Sequence, residues 1–271
     1  MPEFTCLNLT LTDQIVRIEL NRPDKANALN GTLWREIGEA CRWIDETPAA
    51  RVAILSGAGR HFCAGIDFEL MGVILDEVQQ LSPGRREERL RHIIHDLQAG
   101  FTALETCRKP VLAAIQGWCI GGGLDLIAAC DVRYACADAV FSLKEADLAI
   151  VADVGSLQRL PRLIGEGRVR ELAFTARQFD AAEAQAMGLV SRVYADAAQL
   201  RDGVQAIAAS IAAKSPLTVR GIKQVLNYGH DHRVADGLKY VATWNAAMLL
   251  SDDTREAITA AMQKRPPKFA D

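Results

Sequence analysis

Residues 111–125 read Val111-Leu112-Ala113-Ala114-Ile115-Gln116-Gly117-Trp118-Cys119-Ile120-Gly121-Gly122-Gly123-Leu124-Asp125. Pro110 opens a short apolar strand, a glycine loop follows, and a helix starts at the triple glycine. The apolar run 111–130 approaches the length of a membrane span, but Gln116, three glycines and Asp125 interrupt it. A charge near the middle of a span is costly, so no membrane segment is expected. The same order of parts occurs earlier, as an apolar strand over residues 51–56, a glycine-containing loop over 57–65, and a helix from Ile66. Helix starts carry backbone N–H groups with no intrahelical partner, at the positive end of the dipole. Two such starts facing one point could hold an oxyanion. Glycines that merely permit tight turns and close packing would produce the same spacing.

Working outward, residues 5–11 and 15–20 alternate and predict two strands joined at Thr12-Asp13-Gln14. Asn30 reads as the N-cap of a helix whose one face carries Leu33, Trp34, Ile37, Cys41 and Ile44. A long helix is expected over 86–105 and a short strand over 140–143. Alternating strands and helices predict an α/β fold with a mostly parallel sheet and right-handed crossovers. After residue 195 only helical periodicity remains, over 200–213, 216–228, 234–250 and 254–264. We expect two parts, an α/β core over 1–195 and a helical region over 196–271. So apolar a helical tail must pack on the core, on another subunit, or on both.

Composition narrows the function. Of 271 residues 49% are apolar and 24% charged, which excludes global disorder. A net charge of −3 argues against nucleic acid as partner. The one basic cluster, Arg85-Arg86-Glu87-Glu88-Arg89-Leu90-Arg91, is interrupted by acids and reads as a solvated face or a neighbour of phosphates. Seven cysteines with no C-x-x-C predict buried thiols in a reducing compartment. Residues 1–5 lack a secretory pattern, so a cytoplasmic location is expected, with an organelle matrix left open. Gly57-x-Gly59 lacks the third glycine of a dinucleotide fingerprint, and no phosphate-binding loop or nucleophile elbow follows either glycine loop. His92 and His95 share a helix face with no third histidine, and His230 and His232 sit in a polar turn; no metal site is expected.

The informative cluster is acidic. Asp125 lies one turn into its helix, Glu145 and Asp147 follow the strand over 140–143, and Asp153 sits in Ile150-Val151-Ala152-Asp153-Val154-Gly155. Carboxylates with apolar flanks are rarely buried without a task or partner, and burial moves their pKa toward the range useful for proton transfer. The competing reading for Asp153 is the N-cap of a helix beginning near Gly155.

These residues resemble the enoyl-CoA hydratase/isomerase (crotonase) superfamily over about residues 12–265. The carrying segments are Leu20-Asn21-Arg22-Pro23-Asp24-Lys25-Ala26-Asn27-Ala28-Leu29, Phe62-Cys63-Ala64-Gly65-Ile66-Asp67 and Gly121-Gly122-Gly123-Leu124-Asp125, with Cys130-Asp131-Val132-Arg133-Tyr134 and Ala186-Met187-Gly188-Leu189-Val190-Ser191. The resemblance implies a crotonase-like spiral of ββα units and a helical trimerisation tail, hence a homotrimer or a dimer of trimers. It implies an acyl-CoA thioester as substrate, with coenzyme A part of that substrate and no separate cofactor. It also implies an oxyanion hole from the N–H groups of Ile66 and Gly122. Thioester and CoA contacts are implied near Ala28, Ala64, Gly65 and Asp67, with Lys25 and Lys264 near the phosphates. Hydratases of the family carry glutamates at the places of Asp125 and Glu145 and typically glycine at that of Asp153. The set Asp125, Glu145 and Asp153 is similar to that of Δ3,5-Δ2,4-dienoyl-CoA isomerases, while Ile150-Val151 departs from the smaller pair expected and would reshape the acyl pocket. The implied reaction removes a proton at C2 with Asp153 and returns one at C6 from Glu145, with Asp125 orienting or tuning one of them. A simple enoyl-CoA hydratase, a Δ3-Δ2-enoyl-CoA isomerase and a non-catalytic RNA-binding member are the alternatives.

Overall fold

Strand β1 (Leu7–Thr12) turns back antiparallel into β2 (Ile15–Leu20) through Asp13 and Gln14, whose φ values of 50° and 66° suit a tight hairpin turn. The first strand thus runs to Thr12, and the turn is two residues long. This computed structural model describes residues 1–271. Helix α1 (Gly31–Glu46) starts at Asn30, whose side chain accepts the Leu33 N–H, and it buries the five residues its periodicity predicts. Next come β3 (Val52–Gly57), α2 (Phe68–Gln79), α3 (Arg85–Thr106) and β4 (Val111–Ile115). Beyond them lie β5 (Trp118–Ile120), α4 (Gly122–Ala128), β6 (Val132–Cys136) and β7 (Val140–Ser142). The chain continues through α5 (Ser156–Ile164), α6 (Glu166–Thr175), β8 (Phe179–Asp180), α7 (Ala181–Met187) and β9 (Arg192–Tyr194). Four helices finish it: α8 (Ala197–Ala212), α9 (Pro216–Gly229), α10 (Val234–Met248) and α11 (Asp252–Met262).

The main sheet has the order β1-β2-β3-β4-β6-β9 and is parallel from β2 onward. A smaller sheet, β5-β7-β8, stands beside it. Both faces of β3 and β4 are covered, which is why these two strands read as apolar runs. Ala53, Leu55, Val111, Ala113 and Ile115 point into the larger core. Val52, Ile54, Leu112 and Ala114 point the other way, onto Leu200, Val204, Ala208 and Ala212 of α8. The period of two along each strand therefore serves two cores at once.

Two local readings need correction. The helix after the first glycine loop starts at Phe68 rather than Ile66, because Asp67 caps it by accepting the Glu69 N–H. Asp153 does not cap α5: its N-cap is Gly155 without a side-chain bond, and Asp125 accepts the Ser156 N–H from α4 at 2.6 Å.

Beyond α8, helix α9 is pinned by Lys223, whose Nζ lies 2.7 Å from Asp131 and donates to the carbonyls of Leu104 and Lys109. Helix α10 lies against α9, buries none of its residues, and leaves Val234 and Leu238 exposed. No helix is long and apolar enough to cross a membrane. Replacing Lys223 by Met keeps the apolar stem but leaves the largely buried Asp131 without its cation. The unfolding midpoint in denaturant should fall by the equivalent of about 3 kcal/mol with an unchanged slope. An unchanged midpoint would rule out the pair as the anchor of α9.

Candidate active site

The site forms where two stretches of main chain meet. Cys63 pairs with Cys119 as a parallel bridge, the Cys63 N–H donates to the Trp118 carbonyl at 2.8 Å, and the Ile120 N–H donates to the Cys63 carbonyl at 3.0 Å. The glycines make the contact possible. A Cβ at Gly122 would stand 2.8 Å from Leu29 Cδ1, one at Gly123 would stand 2.9 Å from the Cys63 carbonyl oxygen, and one at Gly65 would stand 2.9 Å from the Ile120 carbonyl oxygen. Gly65 also holds φ at 94°, which side chains rarely allow. The N–H groups of Ile66 and Gly122 make no hydrogen bond, and the Ile66 nitrogen lies 4.0 Å from where a Cβ on Gly122 would stand. Asn27, fully buried, ties the neighbouring loop down by donating to the carbonyls of Ala58 and His61.

In front of these donors opens a cavity of about 320 Å³. Ala64, Gly65, Ile66, Gly122, Asp125, Glu145 and Asp153 all line it, so most of the residues singled out in the sequence converge there. Its apolar walls come from α2 (Met71, Ile74) and α3 (Leu90, Ile93, Ile94, Leu97), with Trp34 of α1 also in the lining. Periodicity along 90–97 marks that apolar face, but nothing local says it faces a cavity rather than the core. The same holds for Trp34, which donates its indole N–H to the Leu97 carbonyl at 2.8 Å. Ile150 lines the cavity and Val151 beside it points to solvent.

The other sequence candidates stand outside the lining. Asp67 is committed to capping α2 and to an ion pair with Arg22 at 2.9 Å. Ala28 offers its carbonyl to the Arg22 guanidinium. Lys25 is exposed and lies 3.5 Å from Glu69, and Lys264 is exposed past the end of α11. Arg89 of the basic cluster pairs with Glu77 at 2.5 Å on a solvated face. No group of three His, Cys, Asp or Glu side chains is arranged to hold a metal ion.

The three carboxylates differ in setting. Asp125 is fully buried, and desolvation pushes it up to about 6 against the pull of its hydrogen bond from Ser156. Its Oδ2 has no partner. Glu145 begins a 3-10 turn (Glu145–Leu148) beside Gly121, and its Oε2 is buried and unpaired. Desolvation first, then the neighbouring Asp125 and Asp153, lift it to about 7. Asp153 is the most exposed, and partial burial raises it above the ordinary aspartate value. The cavity thus holds carboxyls that their surroundings set apart, Glu145 lifted to about 7, Asp125 to about 6 and Asp153 raised by its partial burial. That is the provision needed to take a proton at one place and return it at another.

Known proteins resemble this chain over nearly its whole length. The family model described as Enoyl-CoA hydratase/isomerase matches residues 10–271. The peroxisomal Delta(3,5)-Delta(2,4)-dienoyl-CoA isomerase of Arabidopsis thaliana is 51% identical over 257 residues, covering 94% of this chain and 92% of that protein. The mitochondrial Delta(3,5)-Delta(2,4)-dienoyl-CoA isomerase of Homo sapiens is 45% identical over 273 residues, covering 98% and 83%. Among solved structures, an enoyl-CoA hydratase from Bacillus anthracis superposes with a TM-score of 0.89 at 34% identity, covering 98% of this chain and 99% of that one.

The raised carboxyls make stability depend on pH. Glu145 holds its proton to about pH 7 when folded, whereas its ordinary value is 4.5. Between those values the folded state binds more protons than the unfolded one, so stability falls as pH rises through that window. Glu145→Gln removes this contribution, and the variant should exceed the parent by on the order of 2 kcal/mol at pH 8 and by far less near pH 4.5. Melting curves at the two pH values check this, and a gap that does not grow with pH would refute it.

Proposed function

Because the chain belongs to the enoyl-CoA hydratase/isomerase family, we propose that it isomerises 3,5-dienoyl-CoA thioesters to the 2,4-isomers. One observation carries this: a third carboxylate, Asp153, faces the same apolar cavity as Asp125 and Glu145. Hydration needs two carboxylates around one water. Moving a proton from C2 to C6 needs two groups at separate carbons, because the dienolate carries its charge beyond the reach of a single side chain.

In this reading the thioester oxygen takes up charge as the C2 proton leaves, and the N–H groups of Ile66 and Gly122 stabilise it. Such a donor contributes roughly 3–4 kcal/mol in a well-studied protease case. Asp153 takes the C2 proton, and Glu145, protonated near neutrality, delivers one to C6. No atom is gained or lost. Asp125, tied to α5, fixes the electrostatic setting of Glu145. Coenzyme A arrives as part of the substrate, with Lys25 and Lys264 serving its phosphates and main chain near Ala28 and Ala64 serving its body. No other cofactor enters. Residues 196–271 are proposed as a helical region in which α8 backs the main sheet and the uncovered apolar side of α9 and α10 joins three chains, alone or as paired trimers. Seven free thiols suit a reducing compartment, which a bacterial cytoplasm or an organelle matrix both provide.

The division of labour is testable by exchange in heavy water. Asp153→Asn should abolish both turnover and deuterium incorporation at C2. Glu145→Gln should block product but retain C2 exchange, since the dienolate still forms and is reprotonated where it began. Each loss of turnover should be at least ~100-fold. A parent enzyme that hydrates 2-enoyl-CoA far faster than it isomerises 3,5-dienoyl-CoA would replace this reading with a hydratase.

A further inference from the structure

Residues 151–154 make no backbone-to-backbone hydrogen bond. The segment that carries Asp153 is therefore not held by secondary structure, although a proton-transfer group needs a fixed position. Side chains supply what the backbone lacks. The Gln98 amide of α3 donates to the Asp153 carbonyl at 2.6 Å. Arg159 reaches the next carbonyl, that of Val154, at 3.3 Å and is itself held by Glu105 at 2.8 Å and Thr102 at 3.3 Å. Gln98, Thr102 and Glu105 follow one another at helical spacing along a single face of α3. His95, one turn earlier, lies 3.2 Å from Gln98 Oε1 through its ring Nδ1. An amide oxygen only accepts, so His95 donates and the Gln98 amide nitrogen is left to face Asp153. The adjoining face of the same helix, through Leu90, Ile94 and Leu97, lines the cavity.

We infer that Gln98 is a positioning residue for proton removal at C2: it ties the backbone of Asp153 to the helix that forms the acyl wall. The inference rests on the reading of Asp153 as the base. The carboxylate and the acyl chain then take their positions from one element, so a substrate seated against α3 meets Asp153 at a set distance. Displacement of a reacting group by about 1 Å can cost on the order of 100-fold in rate.

The test compares Gln98→Met, which keeps length without a donor, with Gln98→Glu, which keeps shape but sets an acceptor against the Asp153 carbonyl. Both should leave the melting temperature and KM for a 3,5-dienoyl-CoA close to those of the parent. Gln98→Met should lower kcat by about 10-fold or more, Gln98→Glu should lower it further, and C2 exchange in heavy water should fall in step. His95→Ala, a milder variant, should show a smaller loss of the same kind. Parent-like kcat in both Gln98 variants overturns the inference, as does a rise in KM alone or a fall in kcat with C2 exchange intact. Retention of C2 exchange by Asp153→Asn would instead remove the reading of Asp153 on which the inference stands.

Discussion

Residues 63–66 and 119–123 run so close together that Gly65 and Gly123 have no room for a Cβ, and one at Gly122 would press on Leu29. The main-chain end of the cavity follows from that contact. It leaves the N–H groups of Ile66 and Gly122 without hydrogen-bond partners, and it sets α4 so that Asp125 reaches the start of α5. A methyl group at any of the three glycines would press on main chain or on Leu29, and neither can yield without moving a strand or a buried side chain.

Around this contact the electrostatics are graded. Asp125 spends one oxygen on the Ser156 N–H, Glu145 is surrounded by apolar walls and two like charges, and Asp153 faces the opening. Burial of the first two costs stability once they ionise, a common price of placing titratable groups where chemistry is done. The two-faced main sheet and α8 provide the rigid support against which such groups can be held.

Much of the frame was legible because its signals are local. Asn30 caps α1 by reaching only three residues ahead, and β3 and β4 announce themselves as short apolar runs between turns. The acids stood out because apolar neighbours on both sides of Asp125 and Asp153 are improbable on a solvated surface. What escaped notice depends on distance along the chain. Strand β5 has three residues, too few for a period, and its Trp118 is half exposed. The Ser156 N–H at the start of α5 is met by Asp125, 31 positions upstream, where local rules offer Asp153 as the competing cap. Gln98 meets Asp153 across 55 positions, and neither residue type predicts the other.

The two free donors belong to the main chain, and that has a consequence for inheritance. Among the twenty residues only proline lacks a backbone N–H, so almost any codon change at Ile66 or Gly122 leaves the group itself in place. The carboxylates have no such protection, since one base change can swap aspartate for glycine or glutamate. Under the function proposed above, a lineage can therefore redraw which atoms of a bound molecule exchange protons while the pair of main-chain donors passes down. On that reading, change of reaction is expected at Asp125, Glu145 and Asp153, over a glycine contact with no room for a side chain.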